Sequence, residues 1–118
     1  MNAKDELGRE GEQVAAEYLE RVGLRVLDRN WRCADGEIDI VAVDRRVLVV
    51  CEVKTRTGDR FGAPLESISR TKLRRLRRLA IRWVVAHGVL FDEIRVDAIG
   101  VLRSPSGEFT ISHARGVG

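Results

Sequence analysis

The sequence predicts an α/β fold, a central mixed β-sheet flanked by helices, in a single domain spanning residues 1–118. Three observations predict it. Two long segments carry apolar residues at helical spacing. Two runs between them are rich in β-branched residues and separated by a short polar turn. The order along the chain is helix, strands, helix, strands, which suits a mixed sheet with helices packed on it. At 118 residues, one core fits and two would each be too small.

The first helix is expected over residues 4–22. Leu7, Gly11, Val14, Ala15, Tyr18, Leu19 and Val22 recur at helical spacing, and Gly23 suits a C-cap. Gly8 and Gly11 fall within its inner stripe, where a missing side chain lets a helix approach another backbone. Glu12 lies at the edge of that stripe and is the helix carboxylate expected to look toward the sheet. A short strand follows over Leu24–Leu27, then an irregular stretch through Trp31.

Glu37–Val43 and Val47–Lys54 read as a β-hairpin around Asp44-Arg45-Arg46. The second run is the more continuously apolar, as for a central strand covered on both faces. Residues 55–69 read as a polar loop with a short helical turn around Pro64–Ser69. A second helix is expected over Arg70–His87, stopped by Gly88. Its inner face is Leu73, Leu76, Leu79, Ala80, Trp83 and Val84. Its outer face is Arg74, Arg75, Arg77, Arg78 and Arg82. A strand over 93–102, a turn at Ser104-Pro105-Ser106-Gly107 and a strand over Phe109–Ser112 complete the chain, with a frayed tail from Ala114.

Composition narrows the class. Hydrophobic residues at 44% and charged residues at 33% fit a water-soluble globule, and no apolar run is long enough to span a bilayer. Acidic and basic residues break up the start, so no signal peptide is read and a cytoplasmic protein is expected. Cys33 and Cys51 have no metal-ligand spacing and suit a reduced compartment. Of the basic residues only Lys4, Lys54 and Lys72 are lysines, against eighteen arginines. Arginine is the better bidentate phosphate ligand, while a general compositional preference for arginine is the plainer explanation.

The chemistry concentrates in the hairpin. Strand side chains alternate faces, so Glu52 and Lys54 share one face of the second strand while Val49, Cys51 and Val53 take the other. Asp39, on the first strand, is expected on the face of Glu37 and Val41, where a hairpin register can bring it beside Glu52. Two carboxylates that close repel unless a cation separates them, and oxygen ligands of this kind suit Mg²⁺ or Mn²⁺. Lys54 adds an ammonium able to orient water or stabilise charge on phosphorus. Two carboxylates and a lysine around one metal form a phosphodiester-hydrolysis layout, with Glu12 as a further ligand and Lys72 within reach of a substrate phosphate. A structural ion network is the competing reading. Charges interrupting so apolar a strand need pairing or a metal in either case.

Several motifs then stand in order: Gly8-Arg9-Glu10-Gly11-Glu12, Asn30-Trp31-Arg32, Gly36-Glu37-Ile38-Asp39-Ile40-Val41, Cys51-Glu52-Val53-Lys54-Thr55-Arg56, Phe61-Gly62-Ala63-Pro64, Lys72 and Arg95-Val96-Asp97. Together, over at least residues 4–101, they resemble the bacterial YraN (UPF0102) family. That family is similar to the restriction-endonuclease-like PD-(D/E)xK superfamily, near the archaeal Holliday junction resolvases. The resemblance implies a restriction-endonuclease-like fold and a Mg²⁺ or Mn²⁺ site. In it Asp39 is the metal-binding aspartate, Glu52 and Lys54 the acidic residue and lysine, Glu12 the first-helix glutamate and Lys72 the lysine of the following helix. Ile38 stands where the superfamily name expects proline, and Cys51 and Val96 replace a more usual Val and Phe at core-type positions.

Nucleic acid, most simply DNA, is the expected partner. The arginines from Arg74 to Arg82 span roughly 12 Å of helix, and such a patch matches a phosphate backbone. Lys72, Arg56, Arg74, Arg75 and Arg78 are the candidate contacts; a merely solvated helix face is the alternative. Trp31 and Trp83 are expected in the core, and Arg95 and Asp97 to pair on one strand face. A homodimer would suit a branched, two-fold substrate. The function expected is metal-dependent endonucleolytic hydrolysis of DNA, branched or otherwise structured. The alternative is a non-catalytic nucleic-acid-binding or adaptor protein that keeps the fold.

Overall fold

The computed structural model describes residues 3–58 and 68–117, with side chains from residue 5 onward. The order is α1 (Ala3–Arg21), β1 (Arg25–Cys33), β2 (Gly36–Asp44), β3 (Val47–Thr57), α2 (Arg70–His87), β4 (Glu93–Arg103) and β5 (Phe109–Ala114). The five strands form one sheet in chain order, β1-β2-β3-β4-β5. All neighbours are antiparallel except β3 and β4, which run parallel and are joined through α2. This is the mixed α/β architecture expected from the sequence.

Each face of the sheet has its own core. Under α2 lie Ile38, Val41, Leu48, Val50 and Val96 against Leu76, Leu79, Ala80 and Trp83. Under α1 lie Ile40, Ala42, Val49, Cys51, Ile99 and Val101 against Ala15, Ala16 and Leu19. β3 serves both cores, which is why Leu48 through Cys51 are all buried. Each fully buried aliphatic side chain stabilises the fold by roughly 1.5–3 kcal/mol, so both helices are held chiefly by these faces. Ser69 caps α2 by accepting a hydrogen bond from the Lys72 amide at 3.1 Å, and Gly88 closes it in the left-handed region at φ 64°.

Three expectations need correction. The stretch through Trp31 belongs to β1, continuous from Arg25 to Cys33 with a register shift between Val26 and Asp28; its pairing with β2 organises residues whose own pattern is too polar to announce a strand. The tail is not frayed: Val117 is buried and its amide donates to Val96 O at 2.9 Å. Gly8 is open, with nothing of the described residues beyond its own helical turn within 4 Å of an added Cβ, whereas Gly11 is pressed onto Thr55 of β3. The helical turn around Pro64 and the Phe61–Pro64 motif lie outside the described residues, apart from Ile68 and Ser69, neither of which is helical. Among the described residues, no helix is long and apolar enough to cross a membrane.

Candidate functional site

The site forms where β2 and β3 part. Their ladder runs from Asp44↔Val47 to Ile40↔Cys51, so Asp39 and Glu52 occupy the next rung. Backbone pairing stops there. Instead, the Asp39 carboxylate reaches across and its Oδ2 accepts a hydrogen bond from the Val53 amide at 2.8 Å. The side chain therefore lies along the sheet toward β3. This corrects the expectation that Asp39 shares a face with Glu37 and Val41, because those two residues point to opposite sides. Val41 belongs to the core under α2. Glu37 lines a cleft with Glu12 of α1.

Burial pushes the Asp39 carboxyl up to about 7, against the lowering effect of the Val53 amide. The nearby charges of Glu52, Glu12 and Glu37 push it further the same way. Three carboxylates from three elements thus act on Asp39. Oxygen-only donors of this kind fit a hard divalent cation such as Mg²⁺ or Mn²⁺ rather than zinc. Among the described residues, no group of three Asp, Glu, His or Cys side chains already closes into a metal cage.

Glu52 and Lys54 share the α2 side of β3, as expected from strand alternation. Lys72, in the first turn of α2, places its Nζ 2.5 Å from Glu52 Oε1, with both side chains partly shielded. Lys72 is therefore committed to the site's own carboxylate. Lys54 is half-buried, and among the described residues it has no hydrogen bond or ion pair. Glu12 is half-buried one residue after Gly11, whose close seat on Thr55 brings α1 down at this point. A polar cleft of ≈ 650 Å³ opens beside Glu12 and Glu37, lined also by Gly8, Arg9, Asn30 and Arg32. Arg32 pairs with Glu37.

The remaining basic candidates are spread out. Arg74 and Arg78 are exposed on α2. Arg75 is exposed but its Cδ runs past the β1–β2 turn, 3.9 Å from where a Gly36 Cβ would stand. Arg82, read as part of the same face, pairs with Asp35 at 2.7 Å. Arg56 is exposed near the end of β3 and donates to Thr55 O at 3.1 Å. Trp83 is buried and donates from Nε1 to Asp28 Oδ2 at 3.0 Å, while Trp31 packs half-buried on the same core.

The Arg95–Asp97 pair is present and belongs to a larger buried network that the sequence pattern did not reveal. Asp97 is fully buried. Arg95 reaches it with Nε at 2.8 Å and Nη2 at 3.0 Å, His113 Nε2 stands 2.8 Å away, and the Gly116 amide donates at 3.0 Å. Burial alone would raise this carboxyl, but these partners hold it down at about 2. Tyr18 of α1 extends the network, its hydroxyl 2.9 Å from His113 Nδ1. Cys33 and Cys51 are free thiols, and burial pushes Cys51 up. Sequence reasoning passed over Glu37 and Asn30 as site residues; both stood in quoted motifs, but only the strand geometry gives them a place.

Residues 11–101 match the sequence model of the uncharacterised protein family UPF0102. Relatives are similar from end to end. A UPF0102 protein of Beutenbergia cavernae is 52% identical over 118 residues, covering 100% of both chains. One from Renibacterium salmoninarum is 50% identical over the same full length of both. One from Streptomyces coelicolor is 51% identical, covering 99% of this chain and 92% of its own. Both the family match and these whole-chain identities lead to one conclusion: the chain belongs to the UPF0102 family.

Proposed function

We propose that this UPF0102 protein is a Mg²⁺- or Mn²⁺-dependent endonuclease that hydrolyses phosphodiester bonds in DNA, branched or structured DNA included. The observation that carries this reading is the Asp39 carboxylate, set within electrostatic reach of Glu12, Glu37 and Glu52, with no cationic side chain paired to it among the described residues. Such a cluster is costly to keep ionised, and a divalent cation relieves it. Asp39 and Glu52 are the residues to hold the ion, with Glu12 as a further oxygen donor. A bound ion would lower the pKa of a water and draw charge from phosphoryl oxygens.

The chain's own residues do the rest. The Val53 amide fixes the Asp39 carboxylate through its Oδ2. Lys54, uncommitted among the described residues, would orient a nucleophile or meet charge developing on phosphorus. Lys72 neutralises Glu52 and, once displaced, becomes a phosphate ligand on the same side of the sheet. Arg56, Arg74, Arg75 and Arg78 offer exposed guanidiniums for a backbone contact that carries no sequence information.

The Lys72–Glu52 pair also favours a second reading. A site whose carboxylate is already neutralised by its own lysine suits an adaptor that binds nucleic acid without cutting it. Cleavage of labelled duplex, single strand, flap, four-way junction and RNA in Mg²⁺ and in Mn²⁺ separates the two, with Asp39→Ala and Lys54→Ala as controls. The nuclease reading expects cutting that both substitutions abolish. Binding to duplex or junction with no cutting by wild-type protein, unchanged by either substitution, would establish the adaptor instead.

A further inference from the structure

β1 and β2 share an irregularity on a single rung. The register is the same immediately before and after it, with Arg29↔Ile40 and Trp31↔Ile38, and the register shift of this pair lies further back, between Val26 and Asp28. Yet the phase of the side chains reverses across that rung. Ile40 lies in the core under α1, and Arg29 beside it reaches Gln13 of α1 at 2.7 Å. Two residues further along each strand, where alternation demands the same face, Trp31 and Ile38 both lie in the core under α2. The residues between are Asn30 and Asp39.

The backbone explains the reversal. Asn30 has φ 51°, in the left-handed region, within an otherwise extended strand. Asn is one of the few non-glycine residues that enters this region readily, and a β-branched residue is a true outlier there. From the geometry we infer that Asn30 is a positioning residue for Asp39: its left-handed turn in β1 faces a matching reversal of side-chain phase on the opposite rung of β2 and turns Asp39 out of alternation, into the plane of the sheet and onto the Val53 amide. The same reversal sends Glu37 to the α1 side, beside Glu12, and returns Ile38 to the α2 core. Regular alternation would bury Glu37 under α2 and stand Asp39 on that same side of the sheet.

The inference concerns the placement of Asp39, and only its second readout rests on the metal-site reading above. The first readout is amide exchange at Val53, whose protection depends on the Asp39 carboxylate because ladder pairing has already ended. The variants are Asn30→Gly, which keeps the left-handed region accessible, and Asn30→Val, which opposes it. Asn30→Val should speed exchange at Val53 by up to about tenfold, the loss of one hydrogen bond, while Val49 and Cys51 keep their protection. Asn30→Gly should leave Val53 as in wild type. Mn²⁺ affinity, by calorimetry on the full chain, should fall in the valine variant and be retained in the glycine one.

Unchanged Val53 exchange in Asn30→Val would overturn the inference. So would equal losses at Val53 in both variants, which would assign the effect to the Asn side chain, or a loss shared by Val49 and Cys51, which would make the kink a general support of the sheet. If the exchange pattern holds but wild-type protein binds no Mn²⁺, the metal reading fails and the positioning role stands.

Discussion

Gly11 and Gly8 lie one turn apart on α1, and the same substitution should affect stability with opposite sign at the two positions. At Gly11 an added Cβ would fall 2.0 Å from Thr55 Oγ1, 2.7 Å from Cγ2 and 2.9 Å from Cβ. Rotating the Thr55 side chain moves Oγ1 and Cγ2, but the Cβ contact is fixed to the β3 backbone and only retreat of the helix relieves it. Overpacking of this kind costs about 1–3 kcal/mol. Replacing a helical glycine by alanine returns about 0.8–1 kcal/mol. Gly11→Ala should therefore destabilise the protein by up to ~2 kcal/mol, a fall in melting temperature of roughly 4–8 °C per kcal/mol for a small domain. Gly8 has nothing of the described residues beyond its own helical turn within 4 Å of the added carbon, so Gly8→Ala should stabilise by up to ~1 kcal/mol. Thr55→Ala in the Gly11→Ala background removes the two nearer atoms but not the third, and should recover only part of the loss. Urea unfolding followed by circular dichroism measures all four proteins. A Gly11→Ala midpoint at or above wild type, with unchanged denaturant dependence, would refute the close seating of α1 on β3.

Three further outcomes follow from the charged groups. Asp39 is raised to about 7 in the fold, so the folded state keeps a proton that the unfolded chain has lost, and metal-free stability should fall as pH rises from about 4 to 7. Asp39→Asn should flatten that decline in urea unfolding at pH 5 and pH 8 and abolish Mn²⁺ binding; equal slopes in both proteins would contradict the buried, repelled carboxylate. Asp97 is held at about 2, so its contribution is complete above the ordinary carboxylate range near pH 4 and is lost as pH falls toward 2. Asp97→Asn should cost about 3–5 kcal/mol, the range for removing one partner of a buried ion pair, and should weaken this acid transition; a loss below 1 kcal/mol would mean that the network holds little. Lys72→Met should tighten Mn²⁺ binding several-fold by calorimetry, because it frees Glu52 of its ammonium, and unchanged or weaker binding would show that Lys72 does not compete for that carboxylate.

The elements with a strong period were legible in the sequence. Both helices begin and end within a few residues of expectation, because Gly23 and Gly88 close apolar stripes that fix their faces. β3 was legible from its unbroken Val47–Cys51 run, and with it the shared face of Glu52 and Lys54. β1 was not, since Asp28, Arg29, Asn30 and Arg32 carry no alternation and become a strand only against β2. The rung of Asp39 with Glu52 followed from the hairpin turn, but the direction of Asp39 did not. Ile38 and Ile40 look like one face by spacing, and only a backbone torsion at Asn30, on another strand, separates them. The same limit hid the reach of Lys72, which depends on where α2 crosses the sheet, and the anchoring of the tail, which depends on a buried Asp97 nineteen residues away.

The strand order has a consequence for how the molecule assembles. Because the strands sit side by side in chain order, β1–β2 and β2–β3 need close only two-residue turns. The one distant closure is β3 to β4, across residues 58–92, and entropy sets it behind the hairpins by about 2–3 kcal/mol. Low sequence separation favours fast formation, so the three-strand meander is expected to form ahead of the rest. Asp39, Glu52 and Lys54 all ride on that early meander, whereas Lys72 arrives with the crossover helix. Asp39 and Glu52 are thus gathered on a partly formed sheet before their internal counter-charge reaches them, and any cation present during folding meets an acidic nucleus first.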